Sequence, residues 1–344
     1  MKYQLSISIG KSSDKNSAST KAVKDCIELF SKQSYKDYNM FFSEDVSSVN
    51  RYISIFKELW KFYFILEKNS IVGIQYPMLN NVFKYFIKAA KLKKVLFFCI
   101  IHDIESLRLG GLDDALVYKE VKNLNYYDCV IAHNDLMVQW LKGKGMTTHI
   151  EPLGVFDYLL KEVPIRNANT IFSKTIVFAG NLAKSNFIYS LSAIANWNFN
   201  VYGPNYKVAK QHSANVMWRG EFLPDQVVYE LNGNFGLIWD GDTIDKCDNV
   251  LGNYLKYNNP HKFSLYLAAG LPVIAPKDSA IGKMITDYGL GILIDNLTDL
   301  LHLEITEEEY STYKANCYRV KTRIIRGDYF LKAINVSENI LMSK

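Results

Sequence analysis

The sequence predicts an α/β protein built from two doubly wound domains. Three observations lead there. The chain has 344 residues, more than one hydrophobic core usually organises. Short apolar runs alternate with helical segments, a pattern that gives parallel sheets through right-handed crossovers. The alternation also starts twice, on either side of a polar stretch, "VPIRNANTIFSK" at 163–174.

The first series opens with the strand "YQLSISIG" (3–10). The helical "STKAVKDCIELFSKQ" (19–33) follows, with Ser19 or Thr20 as its cap. "IVGIQYP" (71–77) reads as a strand and "NVFKYFIKAAKL" (81–92) as a basic amphipathic helix. "KVLFFCIIHD" (94–103) and "YDCVIAHN" (127–134) are apolar strands, the second leading into the helix "DLMVQWLKGKG". The second series runs from "TIVFAGN" (175–181) through "FNVYGPN", "NVMWRGEFL" and the helix "DQVVYELNG" to the strand "FGLIWDGD" (235–242). Next comes "YNNPHKFSLYLAAGLPVIAP" (257–276). It is a polar turn, a short apolar helix stopped by Gly270, and a buried strand; "DYGLGILID" (287–295) follows. The expected units are residues 1–165, residues 166–310, and a helical tail over 311–344 that packs back toward the first domain. Both sheets should offer their carboxyl edges to a cleft between the domains, where doubly wound sheets bind ligands.

Composition narrows the classes. Hydrophobic residues are 49% and charged residues 22%, an ordinary globular mixture. A net charge of +5, with the lysines spread along the chain, does not point to nucleic acid. The five cysteines, Cys26, Cys99, Cys129, Cys247 and Cys317, form no CxxC and read as free thiols of a reducing cytosol. "MKYQLSISIG" is strand-like rather than a signal peptide, and no apolar run reaches membrane-spanning length. The expected location is cytoplasmic. The basic aromatic stretches "FKELWKFYFIL" (56–66) and "VFKYFIKAAKLKK" (82–94) fit either the inner face of an anionic membrane or ordinary packed helices.

Several residues can carry chemistry. Lys262 stands one turn into a helix whose N-terminal amides already attract anions, which suits a diphosphate; a plain surface lysine is the other reading. Gly180 ends a strand and permits close approach of a ligand, and Lys184 follows it; an ordinary strand-to-helix turn would look the same. There is no Walker A loop and no GxGxxG, so neither an ATPase nor a dinucleotide enzyme is indicated. His102 and Asp103 follow a buried strand, the place for a catalytic base; equally, Asp103 could cap the next helix and His102 be structural. Asp240 and Asp242 could be a D-x-D metal pair, but carboxylates after a strand are more often turn residues. His133 reads as a polar strand end at the cleft.

At "FAGNLAKSNFIY", "FGLIWDGDTIDKC", "GNYLKYNNPHKFSLYLAAGLPVI" and "IIHDIESLRLGG" the chain closely resembles bacterial β-1,6-galactofuranosyltransferases of O-antigen and capsule synthesis. More distantly it resembles the glucosyltransferases that extend glycans on streptococcal serine-rich adhesins. The resemblance covers most of the chain and is strongest over 176–295. It implies the GT-B architecture, two Rossmann-like domains with an acceptor-binding first domain and a UDP-binding second domain. Carried over by position, it implies that Lys262 and the turn Asn258, Asn259, Pro260 and His261 hold the UDP diphosphate. Lys184 takes the place of an arginine of similar work, Phe222 and Leu223 line the uracil pocket, and Thr20 lies near the donor sugar. Many GT-B enzymes have a glutamate gripping the ribose three residues after the helix lysine; here that residue is Leu265, so another group must hold the ribose.

The reading that follows is an inverting transferase moving galactofuranose from UDP-galactofuranose to a hydroxyl of a lipid-linked glycan precursor, with a β-1,6 linkage. Asp103 is the first candidate base and His102 the second. Asp240, Asp242 and His133 are candidates for the sugar hydroxyls. No metal or other cofactor is expected. A UDP-glucose-dependent glucosyltransferase acting on a protein-linked glycan is the near alternative, and a non-catalytic UDP-sugar-binding subunit the distant one; a homo-oligomer stays open.

Overall fold

The computed structural model describes residues 1–9, 18–42, 48–77, 81–110, 114–163, 171–207 and 214–343. The chain divides into two compact units. One comprises Met1–Lys15, Val23–Gly154 and Tyr329–Lys344, the other Asn16–Ala22 and Val155–Asp328.

The first unit holds strands β1 (Lys2–Ile9), β2 (Lys36–Phe42), β3 (Ile71–Tyr76), β4 (Leu96–Ile101), β5 (Cys129–Ala132) and β6 (His149–Pro152). Between them run helices α1 (Ala18–Lys32), α2 (Ser48–Ile65), α3 (Asn81–Lys91), α4 (Glu105–Gly110), α5 (Asp114–Leu124) and α6 (Asp135–Gly143). The strands form one parallel sheet in the order β2-β1-β3-β4-β5-β6. β4 is buried along nearly its whole length, as its unbroken apolar run requires of a central parallel strand.

The second unit has strands β7 (Thr175–Ala179), β8 (Asn198–Tyr202), β9 (Val216–Trp218), β10 (Phe235–Leu237), β11 (Val273–Pro276) and β12 (Gly291–Ile294). Its helices are α7 (Pro224–Glu230), α8 (Val250–Tyr254), α9 (His261–Ala268), α10 (Gly282–Tyr288) and α11 (Glu307–Ile324); α12 (Asp328–Met342) ends the chain. The parallel order is β12-β11-β10-β7-β8-β9. That is the Rossmann order, whose direction of winding reverses between β7 and β10, and the carboxyl edge there is where such sheets bind ligands. β10 is shorter than expected, yet the chain stays extended past it: Ile238 N donates to Ile274 O at 2.9 Å. Phe178, Trp197, Phe199, Phe235 and Trp239 build the core on this sheet, with Tyr310 of α11 closing it.

Two features depart from the expected division. The tail over 311–344 is two helices that part company. α11 belongs to the second unit, where Tyr310 enters the core and Asn316 Nδ2 donates to Gly289 O at 3.1 Å. α12 belongs to the first: Phe330 meets Phe30 edge-on at 5.1 Å and Tyr35 Oη donates to Glu338 at 2.7 Å. The first turn of α1, with Thr20, groups with the second unit rather than with residues 1–165. Lys21 explains this, donating to Leu159 O at 2.8 Å and pairing with Asp225 at 3.1 Å. Residues 164–170 of the expected linker lie outside the described residues.

Candidate active site

In the second unit the site assembles where the winding of the sheet reverses. β7 delivers Gly180 at its carboxyl end. The extension of β10 delivers Asp240, held by Trp239, whose fully buried indole donates from Nε1 to Thr243 O at 3.0 Å. Lys262 enters from the second position of α9 and its ammonium pairs with the Asp240 carboxylate. The same ammonium lies 4.8 Å from the centroid of the Phe178 ring. A cation at a helix start is disfavoured by the helix dipole, and Asp240 with the ring face offsets that cost.

The approach is close because the backbone is bare. A Cβ at Gly180 would lie 3.2 Å from Lys262 Cε. Gly203, at φ +130°, lets the next turn abut: a Cβ there would fall 1.9 Å from Gly180 O, so only glycine serves. α9 is fixed in turn by Tyr266. Its ring is fully buried and its hydroxyl accepts from Ala179 N at 2.9 Å, so the helix is pinned to the last residue of β7. Burial drives the Tyr266 hydroxyl pKa well above its usual value. The helix stops before Gly270, which turns the chain at φ +74° into β11.

The other donor-side candidates surround these. Asn259 is buried, Pro260 caps α9, and the His261 ring stacks on Phe156 at 5.5 Å. Asn258 Oδ1 is enclosed and has no hydrogen-bond partner among the described residues. Lys184 closes the short 3-10 turn 182–184 and is exposed. Phe222 is half-buried, 6.3 Å from the Tyr202 ring, and Leu223 is exposed ahead of α7. Leu265 is buried. Asp242 is exposed, whereas Asp240 is already engaged by Lys262. Among the described residues, no three His, Cys, Asp or Glu side chains gather as a metal site.

In the first unit β4 delivers His102 and Asp103. His102 N donates to Tyr76 O at 2.8 Å, and ring Nε2 stands 2.7 Å from Gln75 Oε1. Against an amide oxygen Nε2 carries the proton, which leaves the lone pair on Nδ1. Burial pushes the ring pKa down to about 4, so the imidazole is neutral at pH 7. Asp103 pairs with Arg108 at 2.9 Å. The first amides of α4 are served by Glu120, a buried carboxylate accepting from Glu105 N (3.0 Å), Ser106 N (2.9 Å) and Tyr76 Oη (2.9 Å).

His133, just past β5, is 1% exposed, with Nε2 3.1 Å from Ile101 O.

Sequence reasoning missed Glu120, Gln75, Tyr266 and the Asp240–Lys262 pair. Glu120 left a readable trace. It falls at the buried spacing of α5 with Val117, Val121 and Leu124, where a carboxylate must have partners.

The description "Glucosyltransferase 3-like, N-terminal domain" matches residues 4–154 and "Glucosyltransferase 3-like, C-terminal domain" matches residues 176–337. The chain is 31% identical over 330 residues to beta-1,6-galactofuranosyltransferase WbbI of Escherichia coli (strain K12), covering 91% of this chain and 92% of the relative. It is 25% identical over 259 residues to glucosyltransferase 3 of Streptococcus gordonii, covering 72% of each. The structure of the lipopolysaccharide outer core galactosyltransferase WaaB in its apo form superimposes with a TM-score of 0.59 at 12% identity, over 97% of this chain and 99% of that one. With both domain descriptions matched in order and a Rossmann-like sheet in each unit, the chain belongs to the glucosyltransferase 3-like family and has the GT-B fold.

Proposed function

We propose that the protein is an inverting galactofuranosyltransferase that takes galactofuranose from UDP-galactofuranose and attaches it to a hydroxyl of a cell-surface glycan precursor, in a β-1,6 linkage. The observation that carries this reading is the 31% identity, sustained over 91% of the chain, to a relative whose name gives that activity. The site chemistry supports it. Lys262, the N-terminal amides of α9 and Lys184 suit a nucleoside diphosphate, and the negative charge on that group grows as it departs. The acceptor oxygen attacks the anomeric carbon from the face opposite the diphosphate. The bond from that carbon to the phosphate oxygen breaks with its electron pair leaving on UDP. The acceptor proton passes to a base, for which Asp103 and His102 are the candidates. Five cysteines left as free thiols suit a cytoplasmic site of action.

Glucosyl transfer from UDP-glucose is the second reading, favoured by the family description and the streptococcal relative. A donor panel separates the two. UDP-galactofuranose, UDP-galactopyranose and UDP-glucose are offered at equal concentration with a simple hexoside acceptor, and UDP release is followed. A furanose ring presents an exocyclic diol, and polar groups left unmatched by the wrong sugar cost more than a lost apolar contact, so discrimination should be large. Asp242, an exposed carboxylate after β10, is our candidate to meet that diol. Transfer from the furanose donor alone is expected. Transfer from UDP-glucose alone would replace the reading with the glucosyl one, and UDP release from no donor would point to a binding subunit.

Because lysines and helix amides do the work that a divalent ion does in other transferases, activity should persist in EDTA. Loss on chelation with recovery on adding manganese would make Asp240 and Asp242 metal ligands instead.

A further inference from the structure

We propose that the outer face of α2, with α3 beside it, docks this protein on an anionic lipid surface. The inference is independent of which sugar is transferred. α2 has two apolar faces, and the fold uses one. Ile55, Leu59 and Phe62 are buried against the sheet side. On the opposite side Tyr52, Phe56, Trp60 and Phe64 form a column at four-residue steps, 51%, 52%, 42% and 75% exposed. The adjoining column is Ile53, Lys57, Lys61 and Ile65, with every member exposed. The rings lie against one another, Phe56 to Trp60 at 5.8 Å and Trp60 to Phe64 at 6.2 Å, so the ridge is continuous.

α3 extends the same surface. It is joined to α2 by the Phe62–Phe86 stack at 5.8 Å and by Lys93, whose ammonium donates to Tyr63 O at 2.7 Å and Leu66 O at 3.0 Å. Tyr85 and, just past its end, Leu92 are 63% and 84% exposed, among the exposed lysines Lys88, Lys91 and Lys94. Lys61 and Lys91 each hold one carboxylate, Glu58 and Asp128.

Charge decides the occupant. Residues 48–94 carry nine lysine or arginine residues against two glutamates, a surplus of seven. The whole chain carries +5, so everything outside this segment sums to −2. A second copy packed on this face by a two-fold axis would set that surplus against itself. An anionic bilayer answers both features. Trp, Tyr and Phe side chains settle at the headgroup boundary, and lysines extend to the phosphates beside them. No helix among the described residues is long and apolar enough to cross a membrane, so α2 would lie in the plane of the surface.

The test uses the full-length chain and sedimentation with large unilamellar vesicles. One set is phosphatidylcholine, the other contains about 30% phosphatidylglycerol. Binding to the anionic set at low salt is expected, falling at least tenfold near 0.5 M salt as screening shortens the electrostatic reach to about 4 Å. Trp60→Ser with Phe64→Ser should reduce binding at least tenfold, and Lys57→Glu with Lys88→Glu should do the same. All four residues are exposed, so the melting temperature and UDP release with a soluble acceptor should be unchanged. Absence of binding to anionic vesicles at low salt overturns the proposal. So does binding that neither pair of substitutions weakens. A wild-type dimer in sedimentation velocity that the Trp60→Ser, Phe64→Ser variant converts to monomer, with no vesicle binding, assigns the face to a second copy.

Discussion

Lys262→Ala is expected to fold and to lose a hundredfold or more of its turnover. Its ammonium is carried by the first turn of α9 beside the carboxyl end of β7, where in the proposed reaction a departing diphosphate would gather negative charge. A hydrogen bond to a charged group contributes about 1.5–3 kcal/mol, and 1.4 kcal/mol is a factor of ten in rate. The contact strengthens in the transition state, so the loss should fall on kcat more than on KM. Removing the ammonium also strands Asp240. That side chain is 25% exposed and can be hydrated, so the stability cost should be about 1 kcal/mol and the melting temperature should drop by a few degrees. UDP release and a thermal melt measure the two effects. Turnover near the wild-type rate would remove Lys262 from the reaction.

The second large effect concerns the base. Asp103→Asn should lower kcat by about 10²–10⁴, the range for a positioned proton acceptor, while His102→Gln should cost less than tenfold. The pH profile sharpens this. Asp103 pairs with Arg108 at 2.9 Å, and burial holds the His102 pKa at about 4 instead of 6.5. A lowered pKa means that His102 stays unprotonated until the pH falls through about 4. His102 therefore gives no acid limb at 6.5, and kcat/KM should carry no histidine limb between pH 8 and about 5. The reverse order of losses makes His102 the base. A limb near 6.5 in the wild type, absent from His102→Gln, shows a histidine titrating at its ordinary value and contradicts the burial described for it.

Much of this architecture is legible in the sequence because its signals are local. The run "VLFFCII" can only be a central parallel strand, and "HKFSLYLAAGLPVIAP" spells out a helix, a left-handed glycine and a buried strand in order. The restart of the alternation at "TIVFAGN" gives the second sheet. What stayed hidden depends on pairs distant in the chain. Asp240 and Lys262 are 22 residues apart, and the turn spacing around Asp240 gave no hint of that partner. Glu120 reaches 14 and 15 residues back to α4, and 44 back to Tyr76. The parting of α11 from α12 turns on which core each aromatic enters, which amphipathic spacing does not encode.

The Glu120 carboxylate has a consequence for engineering. The segment carrying His102, Asp103 and Arg108 does not own its shape, because α5 and β3 supply it through one buried side chain and one phenol. Transplanting residues 102–108 into another Rossmann-like scaffold would carry these side chains without their geometry. The smallest portable unit is the segment together with Tyr76 and the helix bearing Glu120. A design that keeps the loop and replaces that helix should inherit the residues and lose the arrangement.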